Sequence, residues 1–255
     1  MVLVFVKTAT SAIAGILAIS TARNVLETAL ISSLPYPLPK SSSPVGSPLL
    51  QKYTRVDPHE NVVLSIDERM PSKEIVVDLN RMKRGDLLKL FALCDAPQNR
   101  KEVCGSYDGT MLNNNIVLTA VSGFITNYLL GRNHGLWNGK SFGLNGIGVN
   151  RFLSTQQPKN VDSSNEPLAV ENEHHFDFKI SPSERFEGKA VSIIYEKYQP
   201  MLSPWKSMKD EVRILRRRSK RRSREGILLG LGSMGWSGSF WNSAPFCLVE
   251  VKKDI

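Results

Sequence analysis

Between residues 103 and 252 the chain alternates short apolar, β-branched runs with breaks rich in Gly, Asn, Pro and charge. Period-two alternation is plain in Phe176, Phe178 and Ile180 against His175, Asp177 and Lys179, and in Val212 and Ile214 against Glu211 and Arg213. That is the pattern of a strand with one buried face. The runs predict eight strands, over 103–112, 136–142, 148–153, 174–180, 190–198, 208–215, 227–231 and 246–252. With no helical pattern between them, such strands pair antiparallel, in a sandwich or a closed barrel. Eight is about the count at which a barrel interior can hold one small ligand. Asn145-Gly146, Glu187-Gly188 and the basic stretch before Gly226 suit hairpin turns. Residues 116–130 fit either a strand pair or a short apolar helix, and no internal repeat is visible.

Ahead of the strands, Pro71-Ser72-Lys73-Glu74 followed by Ile75, Val76, Leu79 and Met82 has helical spacing. Ser72 is the expected N-cap, and Gly85-Asp86 the expected break. A second helical run carries Leu87, Leu88, Leu90, Phe91 and Leu93 and stops before Ala96-Pro97. These helices are expected to close one end of the barrel or to lie against it.

The first 56 residues read differently. Val2 to Ala22 is largely apolar with Lys7 as its one charge, and ends in the small-x-small triplet Ser20-Thr21-Ala22, a signal-peptidase pattern. Counted from Val2 it reaches the length of a membrane anchor only by including Lys7. The following stretch to Val56 has one acid, Glu27, and a Ser/Pro cluster over 32–44. Such composition does not bury enough apolar surface to order itself, and it is also that of organelle transit peptides. A signal-like stretch followed by a transit-like one resembles the bipartite leader of algae with secondary plastids. A secretory signal followed by a flexible linker is the other reading. The expected organisation is therefore a targeting leader and disordered linker over 1–56, plastid-directed or secretory. One barrel domain over 57–255 follows, with a helical segment at 71–95 and a basic insertion at 213–225.

Charge sharpens that picture. Of the net +9, eight positive charges lie between Arg213 and Arg224 with no acid among them, so the body is near neutral. Arg216, Arg217, Arg218, Lys220, Arg221, Arg222 and Arg224 could meet an anionic membrane surface. Nucleic acid is not an expected partner, because the run lacks the interleaved aromatics on which single strands stack. A solvated insertion without a partner explains the run equally well. Three cysteines, Cys94, Cys104 and Cys247, without a Cys-x-x-Cys, exclude a zinc framework and suit buried thiols, with a Cys94–Cys104 bridge as the alternative in an oxidising lumen.

Candidate chemistry is sparse. Lys140, Arg151, Asp210, Glu211 and Arg213 are charges within predicted strands. Facing inward they would orient a ligand's polar end, and facing outward they would be solvated or paired at the rim. His174 and His175 point to opposite faces of a strand, so a metal would need His175 and Asp177 with His59 or His134, and no metal site is expected. Gly230-x-Gly232-x-x-Gly235 matches a dinucleotide fingerprint in letters only, since no βαβ unit surrounds it, and no cofactor is expected. It is expected instead as a flexible glycine-rich loop bearing Trp236 and Trp241. No Gly-x-Ser-x-Gly elbow occurs.

Gly135-x-Trp137 resembles the first-strand signature of the lipocalins, eight-stranded barrels that carry hydrophobic ligands. The resemblance implies that Trp137 packs at the closed end of the barrel under an arginine from a late strand, for which Arg213 is the candidate. Trp137-x-Gly139-Lys140-x-Phe142, Asn150-Arg151-Phe152 and Asp210-Glu211-Val212-Arg213 resemble a group of algal and bacterial proteins from which no activity carries over. The fold expected is mainly β, an antiparallel eight-stranded lipocalin-like barrel with one or two N-terminal helices packed on it. The leading function is binding a hydrophobic small molecule, a lipid or pigment, through Trp137, Lys140, Arg151, Arg213 and Trp236. One alternative is an isomerase, cyclase or hydrolase acting on such a ligand through Asp108, Asp210 or Glu211. Another is a peripheral membrane or assembly protein that docks through its basic loop.

Overall fold

The computed structural model describes residues 2–35, 38–39, 47–112, 136–153, 174–219, 224–235 and 239–252. Helix α1 (Val2–Ser32) leads into β1 (Leu38–Pro39), α2 (Pro48–Lys52), β2 (Thr54–Val56) and β3 (Asn61–Leu64). Helices α3 (Ser72–Arg81) and α4 (Arg84–Leu93) follow. The barrel strands are β4 (Gly105–Met111), β5 (Leu136–Phe142), β6 (Ile147–Leu153), β7 (His175–Pro182), β8 (Lys189–Ile194), β9 (Met208–Arg216), β10 (Ile227–Met234) and β11 (Ala244–Glu250). Each pairs antiparallel with its sequence neighbours, and β11 pairs with β4, closing an up-and-down barrel of eight strands. All eight predicted strands form.

Large apolar side chains line the barrel interior. Inward positions supply Tyr107, Phe142, Phe176, Phe178, Val191, Ile193, Val212, Ile214, Leu228, Phe246 and Leu248 as one buried cluster. Glycines opposite the largest rings make the packing possible. Gly148 pairs with Phe176 and Gly230 with Phe246 across the ladder. At either glycine a Cβ would strike the facing ring, so the aromatic occupies the volume that a partner side chain would otherwise take.

A second core lies outside the barrel wall. Leu215, Ile227, Leu229, Leu231 and Cys247, the outward residues of β9–β11, pack with Ile75, Leu79, Leu87, Leu88, Leu90 and Phe91 of α3 and α4. The helices therefore lie against the wall. The reason is legible in β10, whose Ile227-Leu228-Leu229 is buried on both faces rather than alternating.

Several expectations need correction. Ser72 is the first residue of α3 and Pro71 holds the N-cap position; the Ser72 hydroxyl instead donates to Glu225 and accepts from Arg216. The helix break falls at Met82–Lys83, so Gly85 and Asp86 lie in the first turn of α4. Gly230 and Gly232 are not in a loop, because β10 runs on to Met234. Strand β8 ends at Ile194, and Glu196–Tyr198 form a 3-10 turn. Residues set aside with the leader are packed: Asn24, Thr28 and Ile31 of α1, together with Leu38, Leu50 and Tyr53, are buried. Arg84 fastens α1, pairing with Glu27 at 2.8 Å and donating to Thr28 Oγ1 at 2.7 Å and to the Ser243 carbonyl at 3.2 Å. Among the described residues no helix is long and apolar enough to cross a membrane. Residues 116–130, and most of the Ser/Pro cluster, lie outside the described residues.

Candidate functional site

Inside the aromatic barrel Lys140, Asp210 and Tyr195 are buried together, with the half-buried Asn150 beside them. Lys140 of β5 and Asp210 of β9 stand on opposite sides of the barrel, four strands apart in either direction around the wall. Their side chains meet at 3.0 Å with almost no exposure. Tyr195, which continues the inward alternation of Val191 and Ile193 just past β8, donates to Asp210 Oδ2 at 2.6 Å. Lys140 Nζ donates to Tyr195 Oη at 2.5 Å and to Asn150 Oδ1 at 2.8 Å. Rings surround the ammonium: Trp137, Phe176, Tyr195 and Phe246 have centroids 5.7, 5.3, 5.2 and 5.6 Å away. That is cation–π range on every side.

A bulge makes this possible. In β5 the register with β6 shifts between Trp137 and Gly139, so one extra residue intervenes. Strict alternation would send Trp137 and Lys140 to opposite faces; the bulge puts both inside. Gly139 has φ 128°, and a Cβ there would strike the Tyr107 carbonyl, so only glycine suits. Gly232 plays a spatial part on the far wall, where a Cβ would lie 2.9 Å from Asp210 Oδ1.

Burial governs the electrostatics. It lowers the Lys140 ammonium from its ordinary 10.5, with Asp210 opposing. Burial, and then the Asp210 charge, raise the Tyr195 phenol well above 10.0. A lysine whose ammonium is lowered by burial and a phenol held protonated are features of chemical sites as well as of structural networks.

Beyond this group the described residues at the same end of the barrel are apolar. Met111, Trp137 and Met208 pack on the interior cluster. Phe152 is paired with Trp137, and Met234 with Met208. All five are only half-buried. Methionine and aromatic side chains at a mouth adapt to varied apolar shapes.

The other expected site residues sit elsewhere. Asp108 and Arg151 form an exposed ion pair at 3.0 Å on the outer surface. They flank Gly139, which pairs with both and has no side chain to separate them. Glu211 is buried outside the barrel, where it holds the β7–β8 hairpin through Ser183 at 2.8 Å, the Glu184 amide at 2.6 Å and Arg185 at 3.0 Å. Of the three acids, Asp210 alone faces the interior. Arg213 also points outward, its guanidinium donating to the carbonyls of Ala92 and Glu187 and lying 5.2 Å from the Phe91 ring. The expectation that Arg213 covers Trp137 is thus corrected. The cation beside Trp137 is Lys140, because Arg213 occupies the opposite parity of β9 from Asp210.

The basic stretch is likewise tied to the body where it is described. Arg216 is a buried residue of β9 that donates to the Met70 carbonyl at 2.7 Å. Arg217 pairs with Asp95 at 3.1 Å and Glu102 at 2.6 Å, Arg218 with Glu250 at 3.1 Å, and Arg224 with Glu68 at 3.6 Å. The backbones of Ser219 and Arg224 close the hairpin. Lys220, Arg221, Arg222 and Trp236 lie outside the described residues. Among the described residues no group of metal ligands is assembled; Asp177 instead accepts from Tyr198 Oη at 2.9 Å. All three cysteines are free, and burial pushes the Cys247 thiol to about 12.

Sequence reasoning missed Tyr195 and Asn150. Both were findable: Tyr195 extends the inward series of β8, and Asn150 stands opposite Lys140 in the β5–β6 register. No protein-family profile and no curated protein matches the chain. A solved structure described as the crystal structure of a protein from Thermomonospora curvata aligns over 71% of this chain and 95% of that one. Identity is 17% and the TM-score 0.42. The fold is an eight-stranded antiparallel barrel compatible with ligand binding.

Proposed function

We propose that the barrel binds a hydrophobic small molecule, of the class of lipids and pigments, whose polar end meets Lys140, Tyr195 and Asp210. The observation that carries the reading is the polar group itself, placed among aromatic rings inside the barrel and next to half-buried apolar residues at one end. Ligand sites are mostly apolar with a few convergent polar groups. A buried ion pair is weak support for stability, since well-packed apolar residues of similar volume often serve as well or better. An interior already rich in Phe and Leu therefore gains little stability from Lys140 and Asp210, and their use as the anchor for a polar end accounts for their presence. Asp108, Arg151, Glu211 and Arg213 hold the wall that carries the site.

Native mass spectrometry of the full chain, purified from a eukaryotic host, tests this. A stoichiometric small molecule is expected, extractable into organic solvent and lost in a Lys140→Met variant whose circular dichroism is unchanged. An empty wild-type protein that also fails to take up extracted lipids or pigments would overturn the reading.

A further inference from the structure

We infer that Lys140 joins its ligand covalently, as an imine with the carbon of an aldehyde or ketone, and that Asp210 is the counter-ion of that imine. This inference rests on the proposed apolar-ligand site and names the reactive group of what that site holds.

The chemistry follows from what surrounds the amine. A hydrogen-bonding polar end would be served by an asparagine or a tyrosine, each of which costs less to bury than an ion. Lysine adds a nucleophile, and a desolvated lysine in an apolar pocket is a recognised way of activating one. Burial makes the Lys140 ammonium easier to deprotonate, and Asp210, 3.0 Å away, is placed to take its proton. The neutral nitrogen then adds to the carbonyl carbon, forming a C–N bond, while the carbonyl oxygen takes up a proton. Tyr195 bridges Asp210 and Lys140 at 2.6 and 2.5 Å, so the proton held by Asp210 can return through it as the C–O bond breaks and water departs. One aldehyde and one amine give one imine and one water, with no change of oxidation state. In the product the single N–H of the protonated imine faces Asp210, and Asn150 is released. The rings of Trp137, Phe176 and Phe246 then exclude the water that would reverse the reaction.

The test uses the full chain and 2-naphthaldehyde, a flat apolar aldehyde with no enolisable position. At limiting aldehyde and neutral pH, borohydride should fix about one adduct per chain, and peptide mapping should place it on Lys140 rather than on exposed lysines. Asp210→Asn, which removes the proton acceptor, should form the adduct more slowly, and that adduct should lack the red-shifted absorbance of a protonated imine. The wild-type map decides the question even if Lys140→Met fails to fold. If naphthaldehyde quenches Trp137 fluorescence but borohydride leaves the Lys140 peptide unmodified, the imine is overturned and the non-covalent site stands. If there is neither quenching nor adduct, both readings fall for carbonyl ligands.

Discussion

The tie between Lys140 and Asp210 crosses the whole barrel, so cutting it from one side should do more harm than removing it altogether. At 3.0 Å two unit charges attract by about 5–6 kcal/mol at an effective dielectric of about 20. Taking both ions out of water costs several kcal/mol each, so the net worth of the intact pair is small. Each single variant leaves the opposite charge buried. Lys140→Met strands a carboxylate that keeps only the Tyr195 hydroxyl, and Asp210→Asn strands an ammonium among four rings. A cost of about 3–5 kcal/mol is expected for either one. The double variant strands nothing, because its Asn still accepts from Tyr195 and its Met fills the channel left by the lysine stem. Its cost should be no greater than that of one single variant, giving a coupling energy of about 3 kcal/mol.

Urea unfolding of the four proteins, with m-values checked for constancy, gives the cycle directly. Single-variant costs that add to within about 0.5 kcal/mol would show that the two groups do not interact in the folded protein. Costs below about 1 kcal/mol for each single variant would mean that water reaches the pair. Either result would refute the buried tie.

Gly230→Ala should cost about 1–3 kcal/mol by overpacking, read as a lowered Tm, and Phe246→Leu should restore part of it. Gly139→Ala should be worse, since its Cβ meets backbone that a side-chain rotation cannot clear, and it should also shift Trp137 fluorescence as the bulge is lost. Arg84→Ala should release α1, opening residues 24–35 to protease while the near-UV circular dichroism of the barrel persists. Burial alone would raise the Asp78 carboxyl, but donation from Lys52 at 2.7 Å and Tyr53 at 2.9 Å leaves it below its ordinary 3.8. With the folded pKa below the unfolded one, Asp78 stabilises fully above 3.8 and loses that contribution as pH falls through the folded value. The stability gap between wild type and Asp78→Asn, followed by urea unfolding, should hold at neutral pH and narrow below pH 4.

The barrel was legible because its strands keep period two and its turns use the residues that turns require. Legibility failed where a local rule met a tertiary contact. Glycines read as loop formers, yet Gly230 and Gly232 are strand residues whose missing side chains make room for Phe246 and Asp210; no propensity scale carries that information. Ser and Asn before an apolar run read as caps, yet Ser72 is taken up by Arg216 and Glu225 from a distant hairpin. Composition set residues 23–56 apart from the fold, yet Asn24, Thr28, Ile31, Leu50 and Tyr53 among them are buried, with Arg84 and the outer core supplying the surface. The charged strand residues were found by number but not by face. Parity along β9 separates Asp210 from Glu211 and Arg213, and counting from Val212 and Ile214 would have settled it.

For β5 the same counting gives the wrong answer, and the reason bears on function. Phe142 and Lys140 face inward by alternation, which sends Trp137 outward; only the extra residue before Gly139 brings it in. A regular strand would have closed the barrel equally well, since the ladders on both sides of β5 are otherwise continuous. The bulge costs ladder hydrogen bonds and a glycine in a conformation other residues avoid. What it gains is a tryptophan face beside a lysine nitrogen, three residues apart on one wall, with the carboxylate supplied from the opposite side of the barrel. Removing the bulge by deleting Asn138 joins Trp137 directly to Gly139 and keeps it in register with Phe152, facing inward, so the barrel should stay closed with the accessibility of its tryptophans to acrylamide unchanged. A deletion variant whose tryptophans became more accessible to acrylamide would refute that register.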